Sequence, residues 1–121
     1  MSFLALWLGV GAIGGLASIA RFVVHGLFPV DSAAGFPLGT LAVNLTGSFA
    51  IGVLVGAGVG GDAYLLLGTA TLGSYTTFST WILDSERLVR HGRPGRAVAN
   101  VLASLVLGVA LAELGRLLAG G

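Results

Sequence analysis

The sequence contains no cysteine and no lysine, and only 9% of its residues carry a charged side chain. The absence of cysteine excludes disulfides, thiol catalysis and cysteine-ligated metal sites. A water-soluble domain carries about a quarter charged residues, so this chain lacks what a solvated surface needs. A formal net charge of +1 also argues against a basic patch for nucleic acid, and we expect no nucleic-acid partner.

In place of charge, the chain has long apolar runs. Hydrophobic residues make up 55% of its 121 positions, and the mean hydropathy is +0.98. A helix that crosses a bilayer needs about 20 mostly apolar residues, and four stretches meet this requirement: residues 3–24, 36–59, 63–83 and 97–118. We therefore predict an all-α integral membrane protein, a single domain over residues 1–121 that crosses the cell membrane with four transmembrane helices.

Short polar connections separate the predicted spans and fix the direction of neighbouring helices. They lie near residues 28–31, 60–62 and 85–96, and helices joined by short links run antiparallel. Five of the six arginines lie toward the first and third connections, and only Arg116 lies toward the termini. The positive-inside rule predicts that these two connections face the cytoplasm and that both termini lie outside.

Small and polar residues recur every four positions in two of the spans. The second span carries Thr40, Asn44, Ser48, Gly52, Gly56 and Gly60, and the fourth carries Asn100, Ser104, Gly108 and Ala112. The first span has a GxxxG pair, Gly11 and Gly15. Small residues let membrane helices approach closely, so we interpret these glycines as packing positions. Because each four-residue step drifts about 40° around the axis, the stripe winds around its helix.

Asn44 stands apart in this stripe, because an unpaired amide in hydrocarbon costs several kcal/mol. Its side chain must face either a partner helix or water. The sequence favours contact between helices and pore lining equally. Asn100 lies nearer a membrane end, which favours a structural role.

The third predicted span contains the most informative segment, residues 73–81. Five serine and threonine hydroxyls fall within seven residues there, after a glycine. Such side chains compete with the backbone for hydrogen bonds and glycine lowers helix propensity, so the residues leave two alternatives open, a local break and a kinked but packed helix. Freed carbonyls at a break can bind a cation, and freed N–H groups can bind an anion. Phe78 and Trp81 share one helical face beside it.

Together these segments resemble the Fluc (CrcB) family of fluoride channels over the whole chain. The resemblance rests on Gly14-Gly15 with Arg21, on Gly-Thr-Leu-Ala-Val-Asn at residues 39–44, and on Thr-Thr-Phe-Ser-Thr at residues 76–80. It implies that the third of the four transmembrane helices is broken in the middle of its span, and that the protein is a passive channel that exports cytoplasmic fluoride through pores in an antiparallel dimer. It also implies a structural Na⁺ at the dimer centre, bound by the backbone carbonyls of Gly73 and Thr76 from both subunits.

The same resemblance implies roles for individual side chains. The expected pore-lining residues are Asn44, Phe78, Ser79, Thr80, Trp81 and Ser104, and the expected structural residues are Arg21 and Glu86. One departure concerns Trp81, where family members usually have phenylalanine. Indole is larger and adds an N–H donor, so this position either lines the pore differently or closes it.

Three other interpretations were weighed against a homodimeric channel. The strong arginine bias suggests one half of a heterodimer with an oppositely oriented paralogue, without conduction alone. A small proton-coupled multidrug exporter needs a carboxylate in the membrane, yet Asp84, Glu86 and Glu113 all lie toward span ends. An enzyme needs a nucleophile with its base or a set of metal ligands, whereas His25 and His91 lie at connections, where we expect interfacial side chains.

Overall fold

The structure, a computed structural model, describes residues 2–28 and 35–121, so the predicted connection at residues 29–34 lies outside the described part. Every element in the described part is helical. In chain order the elements are α1 (Phe3–Gly26), α2 (Leu38–Gly56), α3 (Gly61–Tyr64), a π-helical segment (Leu65–Leu72), α4 (Gly73–Tyr75), α5 (Phe78–Arg90) and α6 (Pro94–Leu118).

Helices α1, α2 and α6 are long and apolar enough to cross a membrane. They contain 24, 19 and 25 residues, which correspond to lengths of about 36, 28 and 38 Å at 1.5 Å per residue. A hydrocarbon core is about 30 Å thick. Three of the four predicted spans are therefore present as continuous helices, with ends that differ from the prediction by a few residues.

The third predicted span is broken, as the family resemblance implies. Helix α4 ends at Tyr75 and α5 begins at Phe78. Between them, Thr76 has φ −76° and ψ 159°, and Thr77 has φ −141° and ψ 120°, so both are extended. No described helix covers the predicted range 63–83 as one piece, and the structure replaces a fourth continuous span with two half-helices.

The polar segment after the break is helical, which corrects the predicted connection at residues 85–96. Helix α5 continues to Arg90, and only residues 91–93 separate it from α6. The charged side chains that suggested a loop pair along the helix instead, since Arg90 lies 2.8 Å from Glu86, four residues earlier. Pairs at this spacing stabilise a helix. Gly92, with φ +72°, forms the turn that follows.

Helices α2 and α6 are in direct backbone contact. A Cβ atom added to Gly52 would lie 2.7 Å from the carbonyl carbon of Ala112, and one added to Gly115 would lie 3.0 Å from the Val53 nitrogen. Real Cβ atoms do not approach backbone this closely, because well-packed helices leave no spare volume. The packing role predicted for the small-residue stripes is confirmed at this crossing.

The GxxxG pair of α1 does not pack against the described part of the protomer. A Cβ atom added to Gly11 or Gly15 would meet no described residue within 4 Å, so the predicted packing role is not served by residues 2–28 and 35–121. The neighbouring Gly14 faces the other way, where an added Cβ would lie 3.1 Å from the Ser74 Oγ. Helix α1 thus contacts the first half of the broken span with one face and leaves the other face open.

Candidate functional site at the broken helix

Asn44 bridges the break with two hydrogen bonds to a single residue. Its Nδ2 donates to the Thr77 carbonyl at 2.9 Å, and its Oδ1 accepts from the Thr77 N–H at 2.8 Å. The sequence left contact between helices and pore lining open, and the structure shows the contact. Since Nδ2 carries two protons and this bridge uses one, the side chain retains a second N–H that can serve another acceptor.

The Asn44 bridge releases a backbone carbonyl. In a continuous helix the Thr77 N–H would donate to the carbonyl of Gly73, four residues earlier, but here it donates to Asn44. Thr76 is extended, which takes its own carbonyl out of the helical ladder. Among residues 2–28 and 35–121, no group of three His, Cys, Asp or Glu side chains could hold a metal. A cation at the break would therefore depend on carbonyl oxygens such as these.

Two aromatic rings lie on the first turn of α5. The ring centroids of Phe78 and Trp81 are 5.4 Å apart and the planes meet at 70°, an edge-to-face arrangement. The Phe78 side chain is 70% exposed in the protomer. The Trp81 Nε1 donates to the Asn100 carbonyl at 3.4 Å, so the indole N–H is directed at α6.

The serine and threonine side chains near the two rings differ in their hydrogen bonds and in their exposure. Thr77 caps α5, because its hydroxyl accepts from the Thr80 N–H at 3.2 Å, which satisfies a donor at the helix start. Ser79 is exposed and Thr80 is half-buried. On α6, the Ser104 Oγ is buried and has no hydrogen-bond partner among the described residues.

Asn100 is fully buried between α5 and α6, in agreement with the structural role predicted for it. Its Nδ2 donates to the Ser85 Oγ at 2.9 Å, and Ser85 donates to the Trp81 carbonyl at 3.0 Å. Its Oδ1 has no partner within the described part of the chain. A buried acceptor of this kind is normally satisfied by water or by a partner molecule.

A second polar cluster joins three helices at one end of the bundle, and the sequence analysis did not predict it. Thr40, 1% exposed, donates to the Asp84 Oδ2 at 2.8 Å, and its oxygen lies 3.3 Å from the His25 Nε2. Since the hydroxyl proton goes to Asp84, the Nε2 must be the donor to Thr40. The exposed His25 side chain therefore links α1 to the buried Thr40 of α2, which is compatible with the interfacial position expected for it.

The structure places the two predicted structural side chains outside these clusters. Glu86 pairs with Arg90 on an exposed face of α5, and the acid that contacts another helix is Asp84. The signal for Asp84 is its spacing, because it follows Thr80 by four residues and so lies on the same helical face. Arg21 is half-buried on α1, one turn before His25.

Replacing Thr40 with valine is expected to lower the free energy of unfolding by about 1–3 kcal/mol, because Asp84 and His25 lose a buried partner. The shape of the side chain is almost unchanged, so the loss reports the hydroxyl. Thermal unfolding in detergent measures it. Thr69→Val, at an exposed threonine, is the matched control, and equal behaviour of the two variants would show that the cluster contributes nothing.

The chain was compared with known proteins. A family model described as CrcB-like protein, Camphor Resistance (CrcB), matches residues 7–116. A protein of Mycolicibacterium paratuberculosis (strain ATCC BAA-968 / K-10), named Fluoride-specific ion channel FluC 2, is 47% identical over 119 residues, which cover 98% of each chain. A Haloarcula marismortui protein of the same name is 42% identical over 106 residues, covering 85% of this chain and 87% of its own. A protein of Symbiobacterium thermophilum, named Fluoride-specific ion channel FluC 1, is 37% identical over 123 residues, which cover 95% of this chain and 98% of its own.

Proposed function

Because the chain belongs to the CrcB family, as the match over residues 7–116 and the near full-length relatives establish, we propose that it forms a passive, fluoride-selective channel. The family resemblance seen in the sequence is confirmed. Membership also makes the chain a multi-pass protein of the cell membrane that belongs with ion channels rather than enzymes. The observation that carries the proposal is 47% identity, over 98% of the chain, to a relative named as a fluoride-specific channel.

Fluoride is a small anion that binds its hydration water strongly, so a channel must replace that water with other hydrogen-bond donors. A selective pore does this with donors that are already in place. The second N–H of Asn44, the hydroxyls of Ser79, Thr80 and Ser104, and the ring edges of Phe78 and Trp81 would be these donors. Aromatic edges carry partial positive charge, so the exposed Phe78 ring suits an anion path.

The ion path needs donors without a full positive charge. The chain has no lysine, and Arg21, on α1, is absent from the hydrogen bonds at the break. A dry arginine would hold an anion too tightly for rapid release, whereas conduction requires binding that is weak enough to leave. Neutral donors at the break therefore suit a channel better than a high-affinity binding site.

A second protomer would complete the pore in an antiparallel dimer with four spans on each side. Phe78 is 70% exposed in one protomer, and the Ser104 hydroxyl lacks a partner within it. The exposed Phe78 ring is therefore surface that an adjoining subunit could cover, and the Ser104 hydroxyl has a proton that no described residue uses. Antiparallel pairing would place two copies of the broken span, and hence two pores, around one centre.

Na⁺ is the cation that we propose for this centre. The Gly73 and Thr76 carbonyls fit the role, because the Asn44 bridge and the extended backbone take them out of the helical ladder. Copies from both subunits would hold the ion. When bound, it would supply a positive field near the anion paths without a charged side chain.

Expression of this chain in cells that lack their own fluoride exporter tests the function directly. We expect expression of this chain to restore growth at fluoride concentrations that arrest cells with empty vector, because cytoplasmic fluoride leaves passively. Growth at high chloride is the control and should not change. Membrane-inserted protein that gives no rescue would contradict conduction by this chain alone.

The arginine bias favours a second candidate, one half of a heteromeric channel. Five arginines lie on one side and one on the other, so the positive-inside rule predicts a single orientation with the termini outside. The relatives carry the numbers 1 and 2 in their names, which is compatible with paired chains. An oppositely oriented paralogue would then be required for the dimer.

A tag at the C-terminus distinguishes the two assemblies. In intact cells, protease added outside should remove all of the tag if the chain inserts in one orientation. A clear mixture of protected and cleaved tag would contradict the heteromeric candidate and support a dual-topology homodimer.

A further inference from the structure

Trp81 and Asn100 are joined by two routes that together close a ring across α5 and α6. The direct route is the indole N–H to the Asn100 carbonyl at 3.4 Å. The second passes through Ser85, which accepts from the Asn100 Nδ2 at 2.9 Å and donates to the Trp81 carbonyl at 3.0 Å. We call these three residues the indole bracket.

The direction of every bond in the indole bracket is fixed by chemistry. An amide nitrogen can only donate, so Ser85 must accept from Asn100 and give its own proton to the Trp81 carbonyl. Asn100 is 0% exposed and Ser85 is 8% exposed. Inside an apolar bundle, an amide that loses its partner cannot turn to water, so loss of the Ser85 hydroxyl would leave the Asn100 Nδ2 unsatisfied.

The indole bracket determines which part of Trp81 is presented to Phe78. The indole N–H is bonded to the backbone of α6, so it is not free to bind another acceptor, and the rings of Phe78 and Trp81 meet edge to face at 70°. A free indole could rotate and offer its N–H to an anion or block a narrow path. The bracket prevents both outcomes.

We propose that Asn100 and Ser85 are positioning residues for fluoride selectivity, which hold the Trp81 ring in one orientation although neither residue lines the ion path. The inference rests on the proposed function, since it concerns selectivity of that pore. It explains how this chain accommodates the larger indole: the extra N–H is bound by the backbone of α6.

The first test uses Ser85→Ala, which removes the route through the Ser85 hydroxyl with little change in volume and leaves the direct bond from the indole N–H to the Asn100 carbonyl unsupported. The fluoride-to-chloride efflux ratio of liposomes is expected to fall about threefold to tenfold, the size of effect seen for directly coupled residues. Ser85→Thr keeps the hydroxyl and should restore the ratio. Ser18→Ala is the matched control, because the Ser18 hydroxyl donates only to the Gly14 carbonyl of its own helix, at 3.0 Å.

A second readout separates positioning from simple stabilisation. In a Trp7→Phe background Trp81 is the single tryptophan, since the chain has two, and acrylamide quenching then reports how freely the indole moves. We expect Ser85→Ala to increase quenching about twofold while Ser85→Thr does not, because a loosened ring exchanges rotamers and meets the quencher more often. Unchanged quenching would overturn the inference.

The decisive comparison repeats Ser85→Ala in a Trp81→Phe background, where there is no indole N–H to position. Loss of thermal stability should be the same in both backgrounds, whereas the change in selectivity should disappear with Trp81→Phe. An equal selectivity change in both would overturn the inference and leave a purely structural role. If the unsubstituted chain shows no fluoride efflux, the proposed function fails instead, and the quenching result still tests the bracket.

Discussion

Asn44→Ala is expected to reduce fluoride efflux at least tenfold, to the level of empty liposomes. The substitution leaves both the N–H and the carbonyl of Thr77 without the partner that holds the break. Each unpaired backbone group inside a membrane protein costs about 1–3 kcal/mol, and the anion also loses the spare amide proton. Efflux from liposomes containing equal amounts of folded protein measures the effect.

Ser48→Ala is the matched control for Asn44→Ala. It lies one turn further along α2, and its hydroxyl donates only to the Asn44 carbonyl of the same helix, at 2.8 Å. We expect it to retain most of the efflux, because a hydroxyl bonded within its own helix contributes little. Normal efflux by Asn44→Ala would contradict the role given to the bridge.

Gly52→Ala is expected to prevent recovery of folded protein. The added methyl would overlap the carbonyl of Ala112, and backbone atoms cannot move aside as a flexible side chain can. Overpacking of a tight core costs about 1–3 kcal/mol or more, and separation of α2 from α6 would disturb the whole bundle. Gly115→Ala, at the same crossing, should behave alike. Size-exclusion chromatography in detergent measures the fraction of monodisperse protein.

Gly95→Ala provides the control for these glycine substitutions. Gly95 lies in the first turn of α6, where an added Cβ would have no neighbour within 4 Å among the residues that the structure describes. Alanine is preferred over glycine in a helix by about 1 kcal/mol, so this variant should be recovered as well as the unsubstituted chain or better. Equal yields of Gly52→Ala and Gly95→Ala would contradict the close crossing of α2 and α6.

The residues of the third span identified its weak point and the family resemblance implied a break there, whereas the contact that holds the break was not predictable from the sequence. A run of hydroxyl side chains after Gly73 indicates a weak point in any helix, because the competition with the backbone is local. The bridge joins residues 33 positions apart, and periodicity alone leaves Asn44 free to face a helix or a pore. Only the packed structure decides between them.

The polar residues of α5 show a second feature that the sequence pattern does not predict correctly. Asp84, Glu86 and Arg87 suggest a surface loop in a chain of apolar helices, yet their ion pairs run along the helix axis and extend it to Arg90. The partners of Thr40 are separated from it by 15 and 44 positions. Such clusters depend on how three helices meet, which the spacing within one helix does not reveal.

Fluoride efflux from liposomes reconstituted with this chain alone tests the central claim most directly. A fluoride electrode reads efflux under a potassium gradient collapsed by valinomycin, with chloride-loaded liposomes as the control. Rapid fluoride release with no chloride release is the result that a selective homomeric channel predicts. Equal release of the two anions from correctly folded protein would contradict fluoride selectivity.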